Sequence, residues 1–226
     1  MITKRDYATG GGFLSKKSFT LSEVLITLVV IGIAAAITVP QIIVSYRNKT
    51  LESQFKKSYA NIENAINFVN AQNGTPYECY TVGFGNYYPS ECNSFWSEVL
   101  SRFNITKICE SNDRTCHPLY KTKEQVLAQG GKVMNNSCTH PINTMKGIVL
   151  NDGSIIYLHY YGNVISGSMA LYFGLDVNGV KGPNKWGYDL FYLNLHKKKN
   201  SSVVAMTAVC ELIEKGGQSA ESILTK

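Results

Sequence analysis

Residues 18–40 read Ser-Phe-Thr-Leu-Ser-Glu-Val-Leu-Ile-Thr-Leu-Val-Val-Ile-Gly-Ile-Ala-Ala-Ala-Ile-Thr-Val-Pro, an apolar run interrupted by one carboxylate, Glu23. The run continues through Ile42 and Ile43 to Val44. About 26 residues of helix from Phe19 would measure roughly 39 Å. That exceeds the hydrocarbon core of a bilayer, about 30 Å, and predicts a tilted membrane-spanning helix. An ionised carboxylate in hydrocarbon is costly and is rarely present without a partner and a task. A cleaved secretory signal has a shorter apolar core with a small-residue site after it. Ala34-Ala35-Ala36 imitates such a site, but Ile37, Val39, Ile42 and Ile43 carry the run past it. A plain anchor gains nothing from an acid at Glu23, so the residue points to a pairing role.

Ahead of the run lies a short leader with four bases, Lys4, Arg5, Lys16 and Lys17. A basic leader, then Phe-Thr-Leu-x-Glu, then an apolar helix resembles the N-terminus of type IV prepilins and of type II secretion pseudopilins. The resemblance covers roughly Lys16 to Pro40. It implies a membrane peptidase that cuts between Ser18 and Phe19 and methylates the new amine. Glu23 is then the fifth mature residue, where the family places its assembly glutamate. Pro40 is the twenty-second, where many pilins carry a helix-loosening proline; Gly32 weakens the same stretch. Ser18 departs from the pattern, which usually has glycine before the cut. A cut after Gly12 would place Lys17 at the fifth position and is rejected.

The resemblance also implies a function. It makes the chain a structural subunit of a pilus-like or pseudopilus filament that supports protein secretion. The partners implied are other pilin or pseudopilin subunits, the prepilin peptidase, an inner-membrane assembly platform and membrane lipid. The alternative is a minor, tip-located pilin that binds a ligand in adhesion or DNA uptake.

Net charge is +6, but removing the leader lowers it to +3. The basic balance is therefore mainly a targeting feature, and nucleic acid is disfavoured as a partner. Positive residues before a span favour a cytoplasmic N-terminus. The rest of the chain is then expected outside the cytoplasm, attached to the inner membrane by one pass. The cysteines fit that compartment, since Cys79, Cys92, Cys109, Cys116, Cys138 and Cys210 all follow the span. Six cysteines allow 15 pairings. Local closure favours Cys79–Cys92 and Cys109–Cys116, leaving Cys138 for Cys210.

The expected fold class is α+β: a long N-terminal helix packed against a small antiparallel sheet, as in pilins. The leader is 1–18, the membrane and assembly helix 19–44, an amphipathic continuation 45–73, and an extracytoplasmic globular domain 74–226. Leu51, Phe55, Tyr59, Ile62, Ile66 and Val69 form one apolar stripe at helical spacing. A single helix from Phe19 to Asn70 is therefore expected, ended by Asn73-Gly74-Thr75-Pro76. Residues 77–146 read as a Cys-rich insertion with short helices at Phe95–Phe103 and Lys123–Ala128. A hairpin is expected where Asn151-Asp152-Gly153 separates Gly147–Leu150 from Ser154–Tyr161. Met169–Val177 and Tyr188–Leu195 read as further strands, giving a sheet of three or four. Val203–Ile213 reads as a closing amphipathic helix.

Between the last two strands lies Asp176-Val-Asn178-Gly179-x-x-Gly182-Pro-Asn184, followed by Asp189. Similar segments occur in the C-terminal halves of many pseudopilin-like proteins. Oxygens of Asp176, Asn178 and Asp189 suit calcium, or equally a turn stitched by side-chain hydrogen bonds. Lys181 and Lys185 oppose a cation. No other cofactor is expected. No catalytic constellation emerges: His117, His140, His159 and His196 are scattered, and no nucleophile, zinc or phosphate-loop motif is present. The chain is not expected to be an enzyme.

Overall fold

The computed structural model describes residues 19–74, 91–134, 142–158, 172–197, 204–208 and 211–226. The chain divides into two compact units, Met1–Tyr46 and Arg47–Lys226. One helix, α1 (Leu21–Asn73), contributes to both. It begins two residues later and ends three residues later than the sequence spacing predicts.

In the first unit the helix is apolar on every side and its large side chains are exposed, including Leu25, Ile31, Ile37 and Ile42. It is long and apolar enough to cross a membrane. Pro40 lies inside it and supplies no N–H to the Ala36 carbonyl one turn back. Thr27 and Thr38 return their hydroxyls to the backbone, at Val24 O and Ala34 O, both at 2.9 Å.

In the second unit the same helix becomes one-sided. Leu51, Phe55, Ser58, Ile62, Ala65, Ile66 and Val69 are buried. The small residues Ser58 and Ala65 belong to this face although the apolar stripe omits them. Tyr59 stands at its edge and donates its hydroxyl to the Met206 carbonyl at 2.8 Å. After α1 come α2 (Glu91–Leu100), β1 (Ile105–Cys109), α3 (Lys123–Ala128), β2 (Lys132–Val133), β3 (Lys146–Leu150) and β4 (Ile155–Leu158). Then follow β5 (Tyr172–Asp176), β6 (Leu190–Lys197), β7 (Val204–Ala208), β8 (Leu212–Ile213) and α4 (Ala220–Leu224). The antiparallel sheet runs β1-β3-β4-β5-β6-β7, with β2 and β8 paired apart from it.

Alternation along the strands gives the sheet two buried faces. Ile156, Leu158, Phe173, Leu175, Phe191, Leu193 and Leu195 join the core that includes the α1 stripe. Ile155, Tyr157, Leu190 and Tyr192 point the other way, into a second core with Tyr120, Trp186 and the Cys109–Cys116 loop. The predicted α+β fold, a long helix packed with a small antiparallel sheet, is therefore the observed one.

The β3–β4 hairpin forms at the expected turn. Gly153 there has φ +88°, in the left-handed region where a side chain is unfavourable. α3 matches its predicted bounds, Thr122 and Gln125 forming a reciprocal cap at its start. α2 starts and ends earlier than Phe95–Phe103.

Two expectations are corrected. The main sheet has six strands rather than three or four. One addition is β1, from the segment read as irregular. The other is β7, which with β8 replaces the helix expected over Val203–Ile213. The physical reason is non-local: β6 offers an edge of unpaired backbone groups, and β7 satisfies them from Leu193↔Ala208 to Lys197↔Val204. Pairing on that edge outweighs the weak helical periodicity of a short segment rich in β-branched residues. The last helix instead lies at α4, where Ser219 caps its start.

Candidate functional site: the head of the long helix and a stitched loop

Thr20-Leu-Ser-Glu23 closes the start of α1 as a reciprocal cap. Glu23 Oε2 accepts from the Thr20 backbone N–H at 2.8 Å and from its hydroxyl at 2.9 Å. Thr20 Oγ1 accepts from the Glu23 N–H at 3.2 Å. Both Thr20 donors thus converge on one oxygen of the carboxylate. The signal for this cap is in the sequence: threonine followed three residues later by glutamate, ahead of an apolar run. Phe19 is exposed beside it. Ser18 and the leader lie outside the described residues. A Cβ placed at Gly32 would meet nothing within 4 Å beyond the helix's own backbone, so there is room for a side chain there.

The second unit holds the 176–189 loop. Asp176 and Asp189 are fully buried. Asp176 Oδ1 accepts from the N–H groups of Asn178 at 3.1 Å and Gly179 at 2.6 Å. Its Oδ2 lies 2.7 Å from the Tyr120 hydroxyl. Asp189 accepts from the N–H groups of Asn184 at 2.8 Å and Lys185 at 2.7 Å, one on each oxygen. Asn178 Nδ2 donates to the Gly182 carbonyl at 2.6 Å. Gly179, at φ +60°, has no room for a side chain, since a Cβ would stand 2.3 Å from the Gly153 carbonyl oxygen.

These contacts test the calcium expectation. Calcium takes six to eight oxygens at about 2.3–2.6 Å. Here all four carboxylate oxygens are engaged by N–H or hydroxyl groups of the chain itself. Asn178 Oδ1 and Asn184 Oδ1 are buried without a hydrogen-bond partner among the described residues, but two amide oxygens do not make a shell. The donor set fits a turn stitched by its own aspartates and does not fit a calcium site.

Burial first, and then the neighbouring Asp189, push the Asp176 carboxyl up to about 8. Burial also raises Asp189, opposed by the Lys185 and Asn184 N–H groups and by the Arg47 charge. From Asp176 the contacts run on: the Tyr120 hydroxyl is 2.8 Å from that of Tyr157, which donates to the Cys116 carbonyl at 2.5 Å. Cys116 is disulfide-bonded to Cys109, with Cα atoms 6.2 Å apart. The His117 ring lies tilted beside that of Tyr157, ring centres 5.0 Å apart, and burial lowers its pKa.

The C-terminal segment is tied to the same loop. Glu214 pairs with Lys121 and accepts from the Trp186 N–H at 3.3 Å. Trp186 Nε1 donates to the Lys121 carbonyl at 2.9 Å. Glu211, pushed up to about 7 by burial, accepts the Ala220 N–H at 2.5 Å.

Of the other cysteines, Cys79, Cys138 and Cys210 lie outside the described residues, as does the side chain of Cys92 in α2. At least two disulfides are expected in the protein. Mass mapping without reduction, on protein purified with a thiol-blocking reagent, should recover Cys109 linked to Cys116 and a second linked pair. Six blocked thiols would defeat the expectation.

The family model that matches the chain is the prokaryotic N-terminal methylation motif, over residues 14–39. No curated protein and no solved structure matches the chain. The motif, the long apolar helix and the α+β fold are together similar to those of type IV pilin-like proteins, the match to the motif covering residues 14–39. It implies processing by a prepilin peptidase and assembly with other pilin subunits, and it is consistent with membrane anchoring.

Proposed function

We propose that the chain is a subunit of a secretion-type pseudopilus, polymerising through α1 after cleavage before Phe19 and methylation of the new amine. The observation that carries this reading is the Phe19–Glu23 register inside the methylation motif. Thr20 takes Oε2 of the carboxylate, and Oε1 is offered to the ammonium of Phe19 on a neighbouring subunit. An unpaired carboxylate and an unpaired ammonium are both unfavourable in hydrocarbon, and pairing them removes both penalties and sets the register between subunits. The membrane is the inner membrane, crossed once, and Arg47–Lys226 stands outside the cytoplasm. The subunit has no catalytic task. The tip-binding alternative gains nothing from Glu23, which a subunit without a neighbour above it does not need.

Mass spectrometry of membrane-extracted protein should show Phe19 as an N-methylated terminus, and Ser18→Gly should process at least as well. An intact Met1, or a terminus at Phe13, would overturn the reading.

A further inference from the structure

Three short oxygen–oxygen contacts join Asp176 to Tyr120, Tyr120 to Tyr157 and Tyr157 to the Cys116 carbonyl, at 2.7, 2.8 and 2.5 Å. Each needs one hydrogen between its oxygens. The two tyrosines supply two. The Cys116 carbonyl supplies none, so Tyr157 must donate to it. Tyr120 must then donate to Tyr157, because otherwise two acceptor oxygens face each other at 2.8 Å. The remaining hydrogen can come only from Asp176 itself. We propose that Asp176 is held as a neutral carboxylic acid that donates to Tyr120, and that this proton latches the 176–189 loop to the disulfide-closed 109–116 loop in a pH-dependent way.

The groups that face Asp176 among the described residues agree with this assignment. Asp189 lies beside it, where the Val177 N–H meets the Asp189 carbonyl at 2.9 Å. Both residues are buried and the Asp189 charge raises the Asp176 carboxyl further, so the two do not both ionise cheaply. Asp189 is the one suited to carry the charge, since both its oxygens accept backbone N–H groups and Arg47 on α1 favours its ionised form. Tyr120 and Tyr157 are both held neutral, their pKa values raised chiefly by burial. Loss of the Asp176 proton would put two acceptors together in the chain and a second charge beside Asp189.

The sign of the pH dependence follows. A carboxyl whose folded pKa is raised binds a proton in the native state that the unfolded chain has already released. Its stabilisation is complete below the ordinary aspartate value, about 3.9, and is lost as pH rises through about 8. Asp176→Asn keeps the geometry and lets an amide N–H donate to Tyr120, with no proton to lose. The full chain in detergent, unfolded with urea across this range, provides the test. Below about pH 4 the variant should be close to wild type. Above that, the ratio of wild-type to variant folding constants should fall by up to tenfold per pH unit until about pH 8. Glu211 titrates in both proteins and cancels in the ratio. A ratio flat with pH, or one rising with it, would overturn the proposal, and so would a slope abolished by adding calcium.

Should the variant fail to fold, the wild type alone decides. With aspartate side chains isotopically labelled, its infrared spectrum at about pH 6, where ordinary aspartates are ionised, should retain one carboxylic-acid carbonyl band that disappears near pH 8. Absence of that band at pH 6 overturns the assignment.

Discussion

Glu23→Val should leave the chain inserted and cleaved but unable to form ordered filaments. Insertion survives because valine is cheaper than an acid in hydrocarbon, by roughly 3 kcal/mol on insertion scales. The substitution also removes half of the Thr20–Glu23 cap. Lost caps cost about 0.5–2 kcal/mol, too little to melt a helix of 53 residues. Cleavage survives because the leader and Phe19 are untouched. Assembly fails because the neighbour's ammonium loses its counter-charge, and stranding one member of a buried pair costs roughly 3–5 kcal/mol. Every interface along the filament would bear that cost.

Glu23→Gln separates charge from capping. Glutamine can accept the same Thr20 hydrogen bonds at the third helical position but cannot neutralise an ammonium. It should therefore assemble as poorly as valine. Glu23→Asp should do partial harm, since a shorter side chain must reach the same amine. Filament shearing with electron microscopy, or secretion of a reporter substrate, reads all three. Normal filaments from Glu23→Val would make the acid incidental; normal filaments from Glu23→Gln alone would make its role the cap.

The parts of the molecule that could be read from the chain are those set by neighbours in sequence. The α1 stripe repeats at helical spacing, and Asp152-Gly153 carries its turn chemistry on its face. β1 hid because three of its five residues are exposed, so no inside–outside alternation marks it. It exists because β3 offers an edge to pair with. β7 was disguised for the converse reason, its apolar residues fitting either period until the β6 edge selects one. The loop was legible as a pair of aspartates with glycines between them, but the distant hydroxyls that Asp176 is linked to were not. Tyr120 lies 56 residues before Asp176, and Tyr157 lies 37 after Tyr120. Only the stacking of the Cys109–Cys116 loop on the back of the sheet brings these oxygens together. A hydrogen-bond chain assembled from such separations has no local signature.

Phe55→Ala should be among the most damaging single changes in the second unit, by about 3–5 kcal/mol. Phe55 is fully buried, its ring centre 4.1 Å from that of Phe191 on β6 and 6.0 Å from that of Tyr59. Removing it takes away the transfer energy of a whole ring and leaves a cavity between α1 and the sheet that close-packed neighbours cannot fill. A domain holds only about 5–15 kcal/mol in total, so the variant should sit near the edge of folding. Phe68, on the same helix, supplies the control. Its side chain is 47% exposed, and its ring carries the Arg102 guanidinium at 4.1 Å. An exposed cation–π contact is worth about 0.5–1 kcal/mol, so Phe68→Ala should cost little more than that. Urea unfolding of the full chain in detergent, followed by the fluorescence of the buried Trp96 and Trp186, measures both. Equal losses from the two substitutions would mean that α1 is not seated on the sheet through its Leu51–Val69 face. A large loss confined to Phe55 follows only if that face holds the helix down.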